Sequence, residues 1–407
     1  VSPPTSIIQD VSDGAAAPSW RNVAVLAAAQ ALAASGGPLV TLAGGIVGQT
    51  LAPSPLLATL PITALVIGVA ISSVPVAMLM RRIGRRAGFM TGAAISTSGS
   101  LLAAAATSQR NFALFCLATL IMGAGAAFVQ QYRFAAAESV GPQHTGRAVS
   151  FVLVGGIIAG VLGPEIGRRG RLWFGSEFSG AFVVVAIIQT LAIALLGAIR
   201  MPPQAAASHS SPSVPISAFF ARPAFVLAIA AAAAGYAVMS FIMTATPISM
   251  HVHDGHSLDQ TAFTIQSHVI AMFAPSLVTG FLVDRLGITR MMGAGAVTLL
   301  GSLAAGASSH SATAYWTGLV LLGLGWNLLF VGATVLLTRS YTPEERFRAQ
   351  GLNDVAVFGS QSLASLASGA ALHRLGWVAM NLAVAPILLL VLALIVTTRR
   401  TPQLGQA

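Results

Sequence analysis

The sequence predicts an all-α membrane fold of about twelve spans, arranged as two related six-helix bundles. Three observations predict it. Of the 407 residues, 55% are hydrophobic and only 8% are charged, and mean hydropathy is +0.81; a soluble domain carries about 25% charged residues. Apolar runs long enough to cross a bilayer recur along the whole chain. Basic turns that follow some of these runs repeat at an offset near half the chain length.

The runs lie at 22–48, 56–80, 89–108, 112–134, 149–167, 177–199, 223–247, 259–283, 291–308, 312–338, 351–373 and 376–397. The longest break, Arg200–Pro223, is rich in Pro, Ser and Ala and reads as a linker. The expected organisation is a tail at 1–21, a six-helix bundle at 22–199, a linker at 200–222, a second bundle at 223–398 and a tail at 399–407. The first tail is polar. It lacks the charged, apolar and cleavage regions of a signal peptide in their required order.

All 21 basic residues are arginine, and the formal net charge is +10. They cluster between apolar runs, which points to membrane orientation and a lipid partner, with no nucleic acid. Without lysine there is no Walker A phosphate loop, so transport would be gradient-driven. Cys116 is the sole cysteine and forms no intramolecular disulfide or multi-cysteine metal site. With the N-terminus inside, the cytoplasmic connections hold most of the arginines, so both termini are expected in the cytoplasm. Arg168, Arg169 and Arg171 run against that bias.

Met80-Arg81-Arg82-Ile83-Gly84-Arg85-Arg86 follows span two, and Gly280 through Asp284-Arg285-Leu286-Gly287 follows span eight. The second copy resembles the G-x-x-x-D-R-x-G-R-R loop of the major facilitator superfamily. The first departs from it at Arg81, where that family has Asp. The resemblance implies the major facilitator fold, two halves related by an axis along the membrane normal, and gating by Arg82, Gly84, Arg85, Asp284, Arg285 and Gly287. A tight basic turn that merely sets orientation is the other reading. Span five carries Gly163-Pro164-Glu165-Ile166-Gly167, similar to an antiporter element of the family; close helix packing explains it equally. Gln130, Gln131, Tyr132, Arg133 and Glu138 end span four, and Asp354 opens span eleven. Each reads as an interfacial gate, an ion pair or a functional group.

Met239-x-x-x-Met243 on span seven and His268-x-x-x-Met272 on span eight each place two side chains on one helix face. Thioether and imidazole groups suit copper, and methionine also fills gaps in apolar helices. At about 1.5 Å per residue, Met239 and His268 stand level, with Met243 nearer the outside and Met272 deeper. Pro275 breaks the helix beyond Met272 and frees the Ala271 carbonyl. His251, His253 and His256 in the outer loop form either a metal entry site or a solvated turn.

These motifs resemble CcoA-type copper importers of bacterial inner membranes over essentially the whole chain. The resemblance implies copper as cargo, with Met239, Met243, His268 and Met272 as its ligands. It also implies a copper chaperone or cytochrome oxidase assembly factors as partners. No resident cofactor, no enzymatic activity and a monomeric state are expected. RfnT-type riboflavin importers are the neighbouring resemblance, for which Tyr236, Trp326, Asn327 and Gln361 supply aromatic and amide contacts. Drug–proton antiport rests on the span-five element alone.

Overall fold

Several helix starts are set by short polar residues that accept orphan amide protons. Ser19 caps α1 (Trp20–Ala33), Asn111 caps α4 (Phe112–Val129) and Ser311 caps α13 (Ala312–Thr338). Ser257 and Gln260 make a reciprocal capping box for α10 (Leu258–Phe273). The computed structural model describes residues 19–140, 145–200, 215–342 and 345–398, and among the described residues there is no strand.

The first span is α1 with α2 (Gly36–Leu51), and α3 (Leu60–Ser108) makes the second and third. α4 with α5 (Tyr132–Glu138), α6 (Thr145–Gly170) and α7 (Ser179–Leu196) complete the first half. A short helix, α8 (Ile216–Phe220), lies inside the expected linker. In the second half, α9 (Pro223–Pro247) runs on as a π-helical turn over Ile248–His253. α10 and α11 (Ser276–Leu286), α12 (Ile288–Ser308), α13, α14 (Arg346–Ala383) and α15 (Ala385–Thr398) follow. Eleven stretches of the described residues are long and apolar enough to cross a membrane; the last, Arg348–Thr398, is 51 residues long. A bilayer core needs roughly 20 residues, so that stretch suffices for two crossings. It breaks at Gly376 (φ +74°, ψ 173°).

Gly84 (φ +80°, ψ 162°) breaks α3, and Gly287 (φ +79°, ψ 152°) separates α11 from α12. This region of backbone space is essentially restricted to glycine. An added Cβ at either position would meet no other atom within 4 Å, so the requirement is one of backbone conformation alone. The two glycines match in conformation and in place, which is the clearest structural trace of the repeat. Helix packing repeats too. A Cβ on Gly99 would lie 2.8 Å from Met122 N on α4, and one on Gly295 would lie 2.5 Å from Leu329 N on α13. Lipid chains are as apolar as leucine, so helices in a bilayer associate through such close approaches. Side chains such as Ile71, Val74, Leu191, Phe263, Leu277 and Leu363 stay exposed and form the surface suited to lipid.

The halves meet along α6–α10, α3–α14 and α2–α9. The named contacts gather at the face away from Gly84 and Gly287. Thr63 Oγ1 lies 2.9 Å from Ser365 Oγ, which is also 3.2 Å from Thr244 Oγ1. Gln266 Nε2 donates to the Val161 carbonyl at 3.1 Å. Arg168 donates to Glu165 (2.9 and 2.7 Å) and to Asp259 (3.2 Å) across the seam. Arg169 also pairs with Glu165, and Arg171 with Glu177 at 2.6 Å. The three arginines that oppose the positive-inside bias are thus matched by acids, and one of them bridges the halves.

On the Gly84 face, Arg222 ties the start of α9 to the connection between α13 and α14. Its guanidinium donates to both Glu345 oxygens at 2.7 Å and to the Ser340 carbonyl at 2.9 Å. The Arg222 hydrogen bonds, helped by the Thr342 amide, hold the buried Glu345 carboxyl down at about 2. A depressed folded-state pKa contributes stability above the unfolded value of about 4.5 and loses it as pH falls toward 2. Thermal unfolding in detergent is therefore expected to shift downward between pH 5 and pH 3 in the wild type, and less in Glu345→Gln. Gly84→Ala and Gly287→Ala are each expected to destabilise by about 1–3 kcal/mol, read as lowered unfolding temperature at fixed pH.

Candidate functional site

A break in the first span opens the site. α1 stops at Ala33 and α2 starts at Gly36. Ser35 turns its hydroxyl back to the Leu32 carbonyl at 2.7 Å, and Gly36 and Gly37 carry no side chain into the space beyond. There a cavity of about 230 Å³ lies between the halves. The first half contributes Gln30, Gln130 and Gln189 to its lining; the second contributes Tyr236, Phe358 and Gln361. The lining reaches Gln130 at the Gly84-face end of α4, away from the seam.

Gln189 is committed, because its Oε1 accepts from Ser100 Oγ at 2.8 Å. The side-chain amides of Gln30, Gln130 and Gln361 make no hydrogen bond among the described residues. Tyr236 meets Trp326 and Phe330 edge-on, both at 5.0 Å between centroids, and Trp326 stacks on Phe330 at 5.0 Å. Phe358 lies 6.3 Å from Tyr236. Uncommitted amides beside aromatic rings suit a planar, uncharged cargo with alternating donors and acceptors.

Of the aromatic and amide residues expected from sequence, Tyr236 and Gln361 line the cavity, and Trp326 stands behind Tyr236. Asn327 has a different task. Its Nδ2 donates to the Met272 carbonyl at 2.7 Å and to Ser276 Oγ at 2.6 Å, spanning the break between α10 and α11. Thr279 Oγ1 lies 3.0 Å from Asn327 Oδ1. Asn327 thus takes up the Met272 carbonyl, one residue past the Ala271 carbonyl that Pro275 leaves without its amide partner. Gln30 and Gln189 were passed over in the sequence. Their signal was a lone amide inside an apolar run, which is costly at membrane depth and marks function.

Met239 and Met243 are buried on α9, His268 is buried on α10, and Met272 is half-buried there. Both helices pack along α13. His268 Nδ1 lies 2.8 Å from the Leu319 carbonyl of α13, and its Nε2 is buried with no hydrogen-bond partner among the described residues. The π-helical turn lengthens span seven past Pro247. The depths read from the sequence took span seven to end at Pro247, six residues short of where this turn ends.

In the segment joining spans seven and eight, His251 Nδ1 lies 2.7 Å from the His256 carbonyl, and His256 Nε2 lies 2.8 Å from the His310 carbonyl. His253 is exposed. Asp254 accepts from Tyr315 OH at 2.6 Å and lies 2.7 Å from His310 Nδ1. Among the described residues, no three His, Cys, Asp or Glu side chains gather as a metal-holding group. At the two loops expected from sequence to gate, Arg82 and Arg285 are exposed and Arg85 is half-buried. The side chain of Asp284 lies outside the described residues.

Two packed helical halves, a broken first span and a cavity between them define a secondary membrane transporter. The family model described as Major Facilitator Superfamily matches residues 24–326 and 238–407, and the chain belongs to that family. It is 40% identical over 380 residues to a riboflavin transporter, RfnT, of Brucella anthropi, covering 91% of this chain and 94% of that protein. It is 29% identical over 371 residues to an uncharacterized MFS-type transporter, YddS, of Bacillus subtilis, covering 87% and 85%. The fold is similar to the crystal structure of a D-xylose–proton symporter, with TM-score 0.71 and 13% identity over 92% of this chain and 97% of that one.

Proposed function

We propose that the protein carries riboflavin into the bacterial cell across the inner membrane by alternating access within one chain. The observation that carries this reading is the cavity between the halves, where three free amides stand beside Tyr236 and Phe358. The 40% identity to a riboflavin transporter across nearly the whole of both chains supports it. The arginine bias puts the Gly84 face in the cytoplasm. The seam then closes the outer side, while the cavity lining extends toward the inside. Loading from outside requires the Thr63–Ser365 and Arg168–Asp259 contacts to part. Cells making the protein are expected to accumulate labelled riboflavin above vector controls, and no gain overturns the reading. Thr63→Cys with Ser365→Cys, in a Cys116→Ser background, places two thiols where the native hydroxyls are 2.9 Å apart. Oxidation is expected to abolish uptake and reductant to restore it; unchanged uptake by the oxidised protein overturns the seam's role.

Copper import is the second reading. It is favoured by the buried, unpartnered Nε2 of His268 on the helix that carries Met272. Met239, Met243, His268 and Met272 would bind the ion in changing subsets. His251, His253 and His256 would collect it, and a chaperone or oxidase-assembly factor would receive it. This reading predicts copper uptake that falls in Met239→Ala and His268→Ala. Undiminished uptake in both variants removes these residues from any copper path.

A further inference from the structure

We propose that the cavity selects the uncharged flavin and rejects its 5′-phosphate ester, with Gln30 and Gln361 as specificity-determining residues that grip the cargo from opposite halves. This rests on the flavin reading above. Gln30 lies on α1 and Gln361 on α14, and both side chains line the cavity without a hydrogen bond to the protein among the described residues. A carboxamide offers two donors and one acceptor on one planar group. That set matches the imide edge of an isoalloxazine ring, which alternates carbonyl oxygens with an N–H. Tyr236 and Phe358 supply aromatic faces and edges for the ring itself.

The charge of the lining decides against the ester. Its polar side chains are Gln, Ser and Tyr, and the rest are apolar or glycine. A phosphate monoester is recognised by guanidinium forks or runs of backbone amides. Without them, moving it out of water costs far more than an amide hydrogen bond returns. Arg133 and Asp354 both act on Tyr236, with opposite sign, and neither is part of the lining; the Arg133 guanidinium lies over the Phe134 ring at 4.8 Å. A cargo held by amides of both halves would also tie its binding to their relative position, which is what coupling cargo to alternating access requires.

The test is uptake of labelled riboflavin by the full-length protein in proteoliposomes, with unlabelled riboflavin, riboflavin 5′-phosphate and lumiflavin as competitors. The ester is expected to compete on the order of tenfold or more weakly than riboflavin. Gln30→Ala and Gln361→Ala are each expected to raise the half-saturation concentration for riboflavin by about 2- to 10-fold, the worth of one hydrogen bond, with little change in maximal rate. Equal competition by the ester overturns the inference. So do wild-type half-saturation values in both variants, once size-exclusion chromatography shows them folded. Either result leaves riboflavin transport standing. Failure of the wild type to carry riboflavin overturns the functional reading and this inference with it.

Discussion

Inside a bilayer no water is at hand to satisfy an opened backbone group, so every break in a spanning helix must be repaired by the protein itself. A transporter also needs such breaks, because they make room for cargo and let helices bend. The second half shows the constraint at work. The helix stops at Phe273 and restarts at Ser276, and the buried Asn327 of α13 reaches across to the Met272 carbonyl and Ser276. In the first half Ser35 plays the smaller part, turning its own hydroxyl to Leu32. The cavity lies beside that break, where a Cβ on Gly37 would meet no atom within 4 Å and one on Gly36 would press on Gln189 and Met122 at 2.9 Å.

The same solvent shapes how the molecule holds together and how it can move. Helix pairs within each half rest on close approaches at small residues such as Gly99 and Gly295. Most of the named polar contacts between halves are single bonds: a hydroxyl pair, a glutamine to a carbonyl, an arginine to a largely exposed aspartate. Exposed ion pairs contribute little. The seam thus has enough polar complementarity to set its register and few strong bonds to resist parting. Within the second half, Arg222 and Glu345 are joined at both carboxylate oxygens, as suits two elements that must move together.

Much of the fold was legible in the chain. Apolar runs gave the spans, and the repeated Arg–Gly turns marked the related halves. Gly84 and Gly287 were visible as motif residues, and their shared left-handed backbone explains why glycine stands at both. The oppositely placed Arg168, Arg169 and Arg171 were an anomaly in sequence. Their partners Glu165, Asp259 and Glu177 are close in the fold, and charge that is paired no longer weighs on orientation. The site was legible only in part. Tyr236 and Gln361 were among the residues suggested for a flavin, whereas Gln30 and Gln189 drew no notice, because a lone amide in an apolar run has no spacing to betray it.

By itself the sequence determined membrane class, the number and order of spans and membership of a two-fold-repeated helical architecture. Those properties depend on hydropathy and on local backbone preference, which are written residue by residue. Only the tertiary structure decided which polar side chains share one space. The amides of Gln30, Gln130 and Gln361 converge because of how the helices are rotated and where the first span is interrupted. The tertiary structure likewise turned Asn327 to a helix break and His268 toward Leu319. Helix rotation is set by packing against neighbours far away in the chain, and such long-range contacts leave no periodic mark on the sequence that makes them.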